Sequence, residues 1–263
     1  MTARKIDIKD IIATYSKDKM VFERRNKAWF YYTGRLPSFY LTWIFLRLNI
    51  SANQATYISL IVGLASCIFL ALGSYMLKLA GALMVNLGFV LDCVDGNIAR
   101  YRKSFSPFGE FIDALVGYIV TAFLFMSIGV GAFIDPGSSA LLRHAEIFPL
   151  FSKDVFLFAG FWSSLSYVLV RLGSLRYKTI FTSVPNDDNT KVIASNRFHR
   201  IISIISRNMF GTSGFFMPLL LFAIVFRLLG LLVLLYAVVN TSGLILIIIK
   251  ATAQSFRTLK KEN

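Results

Sequence analysis

Ten residues in the middle of the chain, LDCVDGNIAR from Leu91 to Arg100, place two aspartates in an otherwise apolar stretch. A carboxylate near the centre of a membrane helix costs roughly 2.5–3.5 kcal/mol on insertion scales, so acids kept in such a place are informative. At 100° per residue Asp92, Asp95, Gly96 and Ala99 fall on one helix face, the two small residues leaving backbone open beside the acids. A second stretch, opening at Pro107, sets Gly109 and Asp113 on one face of the next helix. Three acids from two antiparallel neighbours would then converge. Packed together they repel, and a hard divalent cation with oxygen ligands, Mg2+ or Mn2+, is the natural counter-charge. Such a cation completes its shell with water and substrate phosphates, which Arg100, Arg102 and Lys103 would meet at the same depth. The chemistry indicated is a metal-dependent phosphate site; the plainer alternative is that these acids only pair with Arg100 and its neighbours.

The rest of the sequence supplies the elements that must hold these residues. Of 263 residues 56% are hydrophobic, 15% aromatic and 16% charged, against about 25% charged in an ordinary soluble domain. Six apolar segments are long enough to cross a bilayer, at about 54–75, 79–98, 107–130, 154–175, 208–227 and 229–249. The expected fold is therefore all-α and polytopic, with a segment 1–52 ahead of a six-helix domain at 53–250 and a tail at 251–263. The formal charge is +14, but position matters more than total. The loops on one side hold 24 of the 28 Lys and Arg residues, which puts both termini in the cytoplasm and makes a nucleic-acid partner unnecessary. Pro37 to Leu48 is too short to cross and reads as an amphipathic helix lying in the headgroup region, with Tyr40, Trp43 and Arg47 at the boundary. Ser51 is placed to cap the first span. Cys67 and Cys93 lie inside apolar spans and imply neither a disulfide nor a zinc site. The amino terminus lacks the apolar core of a cleavable signal peptide.

Asp92-Cys-Val-Asp95-Gly96-Asn-Ile-Ala99-Arg100, then eight residues, then Gly109-Glu-Phe-Ile-Asp113, resembles the signature of the CDP-alcohol phosphotransferase family, with seven of its eight fixed positions at the right spacings. The resemblance covers nearly the whole chain from about Pro37. It implies six spans, an amino-terminal interfacial helix and a homodimer. It also implies that Asp92, Asp95 and Asp113 ligate magnesium or a similar metal and are the catalytic residues. Gly96, Ala99, Arg100 and Gly109 would form the CMP and diphosphate pocket, joined by Asn53 and Thr56 from the NQAT stretch. Ser106 stands where a hydroxyl often touches the donor. The implied activity is transfer of a phospho-group from a CDP-alcohol, or another nucleotide-activated donor, to a lipid or alcohol acceptor with release of CMP. Phospholipid or lipid-linked glycan synthesis in a bacterial inner membrane is the expected setting.

The family motif ends in a fourth aspartate, the presumed general base for the acceptor hydroxyl, and that position is Gly117 here. General-base assistance is worth about 10²–10⁴ in rate, so the departure bears directly on the acceptor. Glu110 or His199 would be substitutes. Alternatively the acceptor needs no base, because a polyprenyl phosphate is already anionic and would give a diphosphate-linked lipid. A donor-binding relative without turnover is a third account. Arg171, Arg197 and Arg200 flank the cytoplasmic mouth where family members bind phosphate-bearing acceptors, although positive-inside topology alone also predicts them. A transporter is the rival class, and the position of the acids toward one surface argues against it.

Overall fold

The computed structural model describes residues 6–135, 137, 152–181, 208–209 and 212–262. Every regular element among them is helical. The chain begins with α1 (Ile8–Ala13) and α2 (Lys17–Asn26), each opened by a side-chain cap, Asp7 and Ser16 respectively. A short turn, α3 (Ala28–Phe30), runs through a π-helical turn at Tyr31–Arg35 into α4 (Leu36–Arg47). This is the helix expected at 37–48, with its proline in the first turn as anticipated. Its inner face buries Ser38, Phe39, Thr42, Phe45 and Leu46, while Tyr40 and Ile44 remain exposed.

Among the described residues five helices have the length and apolarity to cross a membrane: α5 (Ala52–Ala71), α6 (Tyr75–Arg102), α7 (Pro107–Ile134), α8 (Lys153–Phe181) and α10 (Leu229–Glu262). α5 starts where its sequence requires: Ser51 accepts from the Gln54 N–H and the Gln54 side chain accepts from the Ser51 N–H, a reciprocal cap. It stops at Ala71, four residues short of the expected 75, because Leu72 turns extended and Ser74 caps the following helix.

The segment expected as the fifth of six spans, 208–227, is different. Its described part holds a π-helical turn at Thr212–Phe216, broken by non-helical backbone at Gly214, and then α9 (Met217–Val225), which has only nine residues. Gly214 and the proline at position 218 interrupt the helix at one end. At the other, Arg227 adopts a left-handed φ of 56° and the Leu228 N–H reaches back to the Ala223 carbonyl, a Schellman ending. The same device ends α4 at Asn49 and α6 at Lys103. Hydropathy averages over such breaks, so an apolar run of twenty residues read as one span.

Two cores hold the helices. One joins α5–α10 around an aromatic cluster in which the Phe125 ring centre lies 5.4–5.8 Å from those of Tyr167, Phe216 and Tyr236. The other joins α1 and α4 to α5 and α6 through Ile11, Tyr15, Phe39, Leu46, Leu91 and Val94. Polar residues also join α8 to α10: Asn240 donates to Ser163 at 2.8 Å and the Trp162 indole donates to Thr241 at 2.8 Å. Far from the motif, buried Lys78 near the start of α6 pairs with Asp135 after α7 at 2.7 Å.

Candidate active site

The motif residues meet where the last turns of α6 and the first turns of α7 lie beside the start of α5. The reversal between α6 and α7 is made by the left-handed Lys103, with the Ser104 N–H bonded to the Ala99 carbonyl. Ser106 then caps α7, its Oγ accepting from the Gly109 N–H at 3.0 Å. Its first structural role is thus as a helix cap, and the same hydroxyl lines the cavity described next.

That cavity has a volume of about 460 Å3. α6 contributes Asp95, Gly96, Ala99 and Arg100 to its wall; α7 contributes Gly109, Glu110 and Asp113; α5 contributes Asn53 and Thr56. All the residues expected to hold a nucleotide therefore line one space. At both glycines a side chain would crowd the polar groups of the cavity wall. A Cβ on Gly109 would lie 3.2 Å from Asn53 Oδ1, and one on Gly96 would lie 3.3 Å from the Arg100 guanidinium.

Asp95 is buried, and both its oxygens are engaged. Oδ2 accepts from the Thr56 hydroxyl at 2.6 Å and Oδ1 from the Gly96 N–H. Asp92 and Asp113 lie side by side across the α6–α7 contact, within hydrogen-bonding reach of each other. Both are open to the surface, in contrast to Asp95. Asp92 faces a neighbouring narrow cleft that it shares with Gly117, Val116 and Thr121. Among the described residues none of the three acids makes an ion pair, which removes the plain structural alternative of pairing with Arg100. Nor do any three His, Cys, Asp or Glu side chains among those residues already gather closely enough to hold one metal ion. The carboxyls nonetheless suit a hard cation in kind: oxygen donors, uncompensated, beside a cavity open to water.

Arg100 is fixed by residues that the motif does not include. Its Nη2 donates to Asn97 Oδ1 at 2.8 Å, and the Asn97 amide donates to Ser38 Oγ at 3.0 Å and Thr42 Oγ1 at 3.1 Å. The sequence did carry a signal for this: a buried asparagine in an apolar helix, and two hydroxyls one turn apart on α4. Arg100 Nε is buried without a partner among the described residues.

Gly117 follows Asp113 by one helical turn, and a Cβ built there would meet nothing within 4 Å. Glu110, one of the two residues expected from the sequence as substitutes for the base, is exposed at the cavity wall. Arg171 borders a separate cavity of about 330 Å3 between α8 and α10, together with Lys250, Ser174 and Asn240. Its guanidinium lies 5.8 Å from the Tyr118 ring centre, next in sequence to Gly117. Arg197, Arg200 and His199 lie outside the described residues.

The fold and cavity define a class: an integral membrane protein whose polar cavity is walled by acids and one arginine at the ends of long apolar helices. The sequence matches the profile of CDP-alcohol phosphatidyltransferases over residues 49–249, and the chain belongs to that family, which is one of phosphotransferases. No curated protein matches it in sequence.

Proposed function

We propose that the protein is a metal-dependent transferase that takes a CDP-alcohol, or a closely related nucleotide-activated donor, and transfers its phospho-group to a second substrate with release of CMP. The observation that carries this reading is the single cavity formed by Asn53, Thr56, Asp95, Gly96, Arg100 and Asp113. The unpartnered Arg100 Nε is suited to a diphosphate oxygen, and Gly96 and Gly109 let the backbone approach the nucleotide. Asp92, Asp95 and Asp113 would hold Mg2+ or Mn2+, which supplies polarisation of the diphosphate and charge neutralisation on the departing nucleotide. An acceptor oxygen attacks the phosphorus that carries the alcohol, the bond from that phosphorus to the CMP oxygen breaks, and CMP leaves with the electron pair. The work belongs to lipid synthesis at a cell membrane, with both termini in the cytoplasm, α4 along the headgroup layer, and two copies forming a homodimer.

A second reading concerns the acceptor. Gly117 offers no base, and Arg171, which with Lys250 lines a cationic cavity, also sets its guanidinium against Tyr118, the residue beside Gly117. Both features favour an acceptor that is already a phosphate monoester, such as a polyprenyl phosphate. The test for both readings is CMP or UMP release from purified protein with Mg2+, comparing CDP-alcohols and nucleotide sugars against alcohol and lipid-phosphate acceptors. Release that requires metal and acceptor supports a transferase, and the acceptor class separates the two readings. Silence with every pair, despite donor binding, would mark a binding protein instead.

A further inference from the structure

The helices ahead of residue 49 lie outside the matched region, yet they reach Arg100. Tyr15, in the turn between α1 and α2, is 7% exposed, and the Arg100 guanidinium lies 5.0 Å from the centre of its ring. The ring is itself held on three sides. Its hydroxyl donates to Glu23 Oε1 at 2.8 Å, its edge meets Phe39 of α4 at 6.1 Å between centroids, and Arg35 stacks over it at 4.4 Å. Arg35 in turn grips Glu23 through both Nε (3.0 Å) and Nη2 (3.1 Å).

Charge explains why the cluster needs Glu23. Two guanidinium groups share one ring, and their mutual repulsion would drive Arg100 away; the bidentate carboxylate neutralises Arg35 and leaves Arg100 as the free cation. Burial, the largest influence, pushes the Tyr15 phenol up to about 12, so the ring stays neutral throughout the working pH range. On the other side Asn97, anchored by Ser38 and Thr42, fixes one nitrogen of the same guanidinium. Arg100 is thus clamped between the α1–α2 turn and an Asn97 held by α4 before any substrate arrives.

We infer that Tyr15 is a positioning residue for Arg100: the Tyr15–Glu23–Arg35 cluster makes the amino-terminal helices a clamp that orients the arginine toward the donor diphosphate. The kinetic consequence rests on the proposed donor site, whereas the positional consequence does not. A rigid, pre-oriented cation loses less freedom on binding an anion, so loosening the clamp weakens the donor and leaves the acceptor alone.

Two variants of the full-length protein separate position from packing. Tyr15→Leu keeps an apolar side chain in the core but removes the ring face; Tyr15→Phe keeps the ring and removes only the hydroxyl. The first readout is the rate of Arg100 modification by phenylglyoxal, followed by peptide mass spectrometry, with Arg171 as internal control. Arg100 should react about tenfold faster in Tyr15→Leu, the size of a partly desolvated cation–π contact, and at close to the native rate in Tyr15→Phe, with Arg171 unchanged in both. Equal rates at Arg100 in all three proteins, or an equal rise at Arg171, would overturn the inference. The second readout is CMP release. Donor KM should rise about tenfold in Tyr15→Leu with acceptor KM unchanged, and a fall in kcat with donor KM unaltered would count against the clamp. Absence of release from the native protein would refute the donor reading while the labelling rates still decide the position of Arg100.

Discussion

Thr56 on α5 donates its hydroxyl to Asp95 Oδ2 on α6 at 2.6 Å, and both residues are buried. This bond ties the first turn of one spanning helix to the acidic end of the next, and it fixes which way Asp95 faces. Thr56→Val keeps the shape and deletes the donor. A buried acceptor left short of a partner costs about 1–3 kcal/mol. The variant is expected to unfold at a lower temperature in detergent and to lose at least part of its metal-dependent donor binding; Thr56→Ser should retain both. Thermal unfolding together with CDP-alcohol binding checks the pair.

Asp92 and Asp113 stand side by side with no cation paired to either among the described residues. If they share a metal, converting either to Asn removes an anionic ligand without removing bulk. Asp92→Asn and Asp113→Asn should each abolish the Mg2+-dependent part of donor binding. The relief of like-charge repulsion should leave the folded state as stable as before or slightly more so. Calorimetric titration of a CDP-alcohol with and without Mg2+ measures the first effect, and undiminished binding in both variants would sink the metal site.

Much of the site could be read from the sequence because it is local in character. Asp92, Asp95, Gly96 and Arg100 share one helix face by spacing alone, and Ser51 and Pro107 announce the helices that flank them. What was not legible is long-range or depends on a single backbone angle. Tyr15 meets Arg100 across 85 positions of sequence, a contact that no period in either helix encodes. The segment 208–227 reads as one continuous helix in the sequence because neither the non-helical backbone at Gly214 nor the left-handed Arg227 changes its hydropathy.

Gly117 presents open space on the same face as Asp113. Gly117→Asp should therefore enter without a clash and place a carboxylate one turn from Asp113. If the missing base limits reaction with alcohols, CMP release with an alcohol acceptor should rise by about 10²-fold or more. With a lipid-phosphate acceptor, whose nucleophile is already ionised, the same change should bring no gain. Parallel assays with the two acceptor classes decide the point, and equal responses would mean that Gly117 does not discriminate between them.

Gly129, nearer the other end of α7, behaves oppositely, because there the helix packs directly on α8. A Cβ on Gly160 of α8 would lie 2.7 Å from the Gly129 Cα, and one on Gly129 would lie 2.8 Å from the Gly160 Cα. The two helices touch backbone to backbone there, the kind of approach that small residues permit between membrane helices. The obstructing atoms are backbone, which cannot swing aside, so α7 and α8 must separate to admit a methyl group. Gly160→Ala should cost about 1–3 kcal/mol, the usual range for overpacking, whereas Gly117→Ala should be neutral or mildly stabilising through helix propensity. Unfolding temperature in detergent ranks the two. The displaced α7 also carries Asp113 at its other end, so Gly160→Ala should weaken donor binding from a distance while Gly117→Ala leaves it intact.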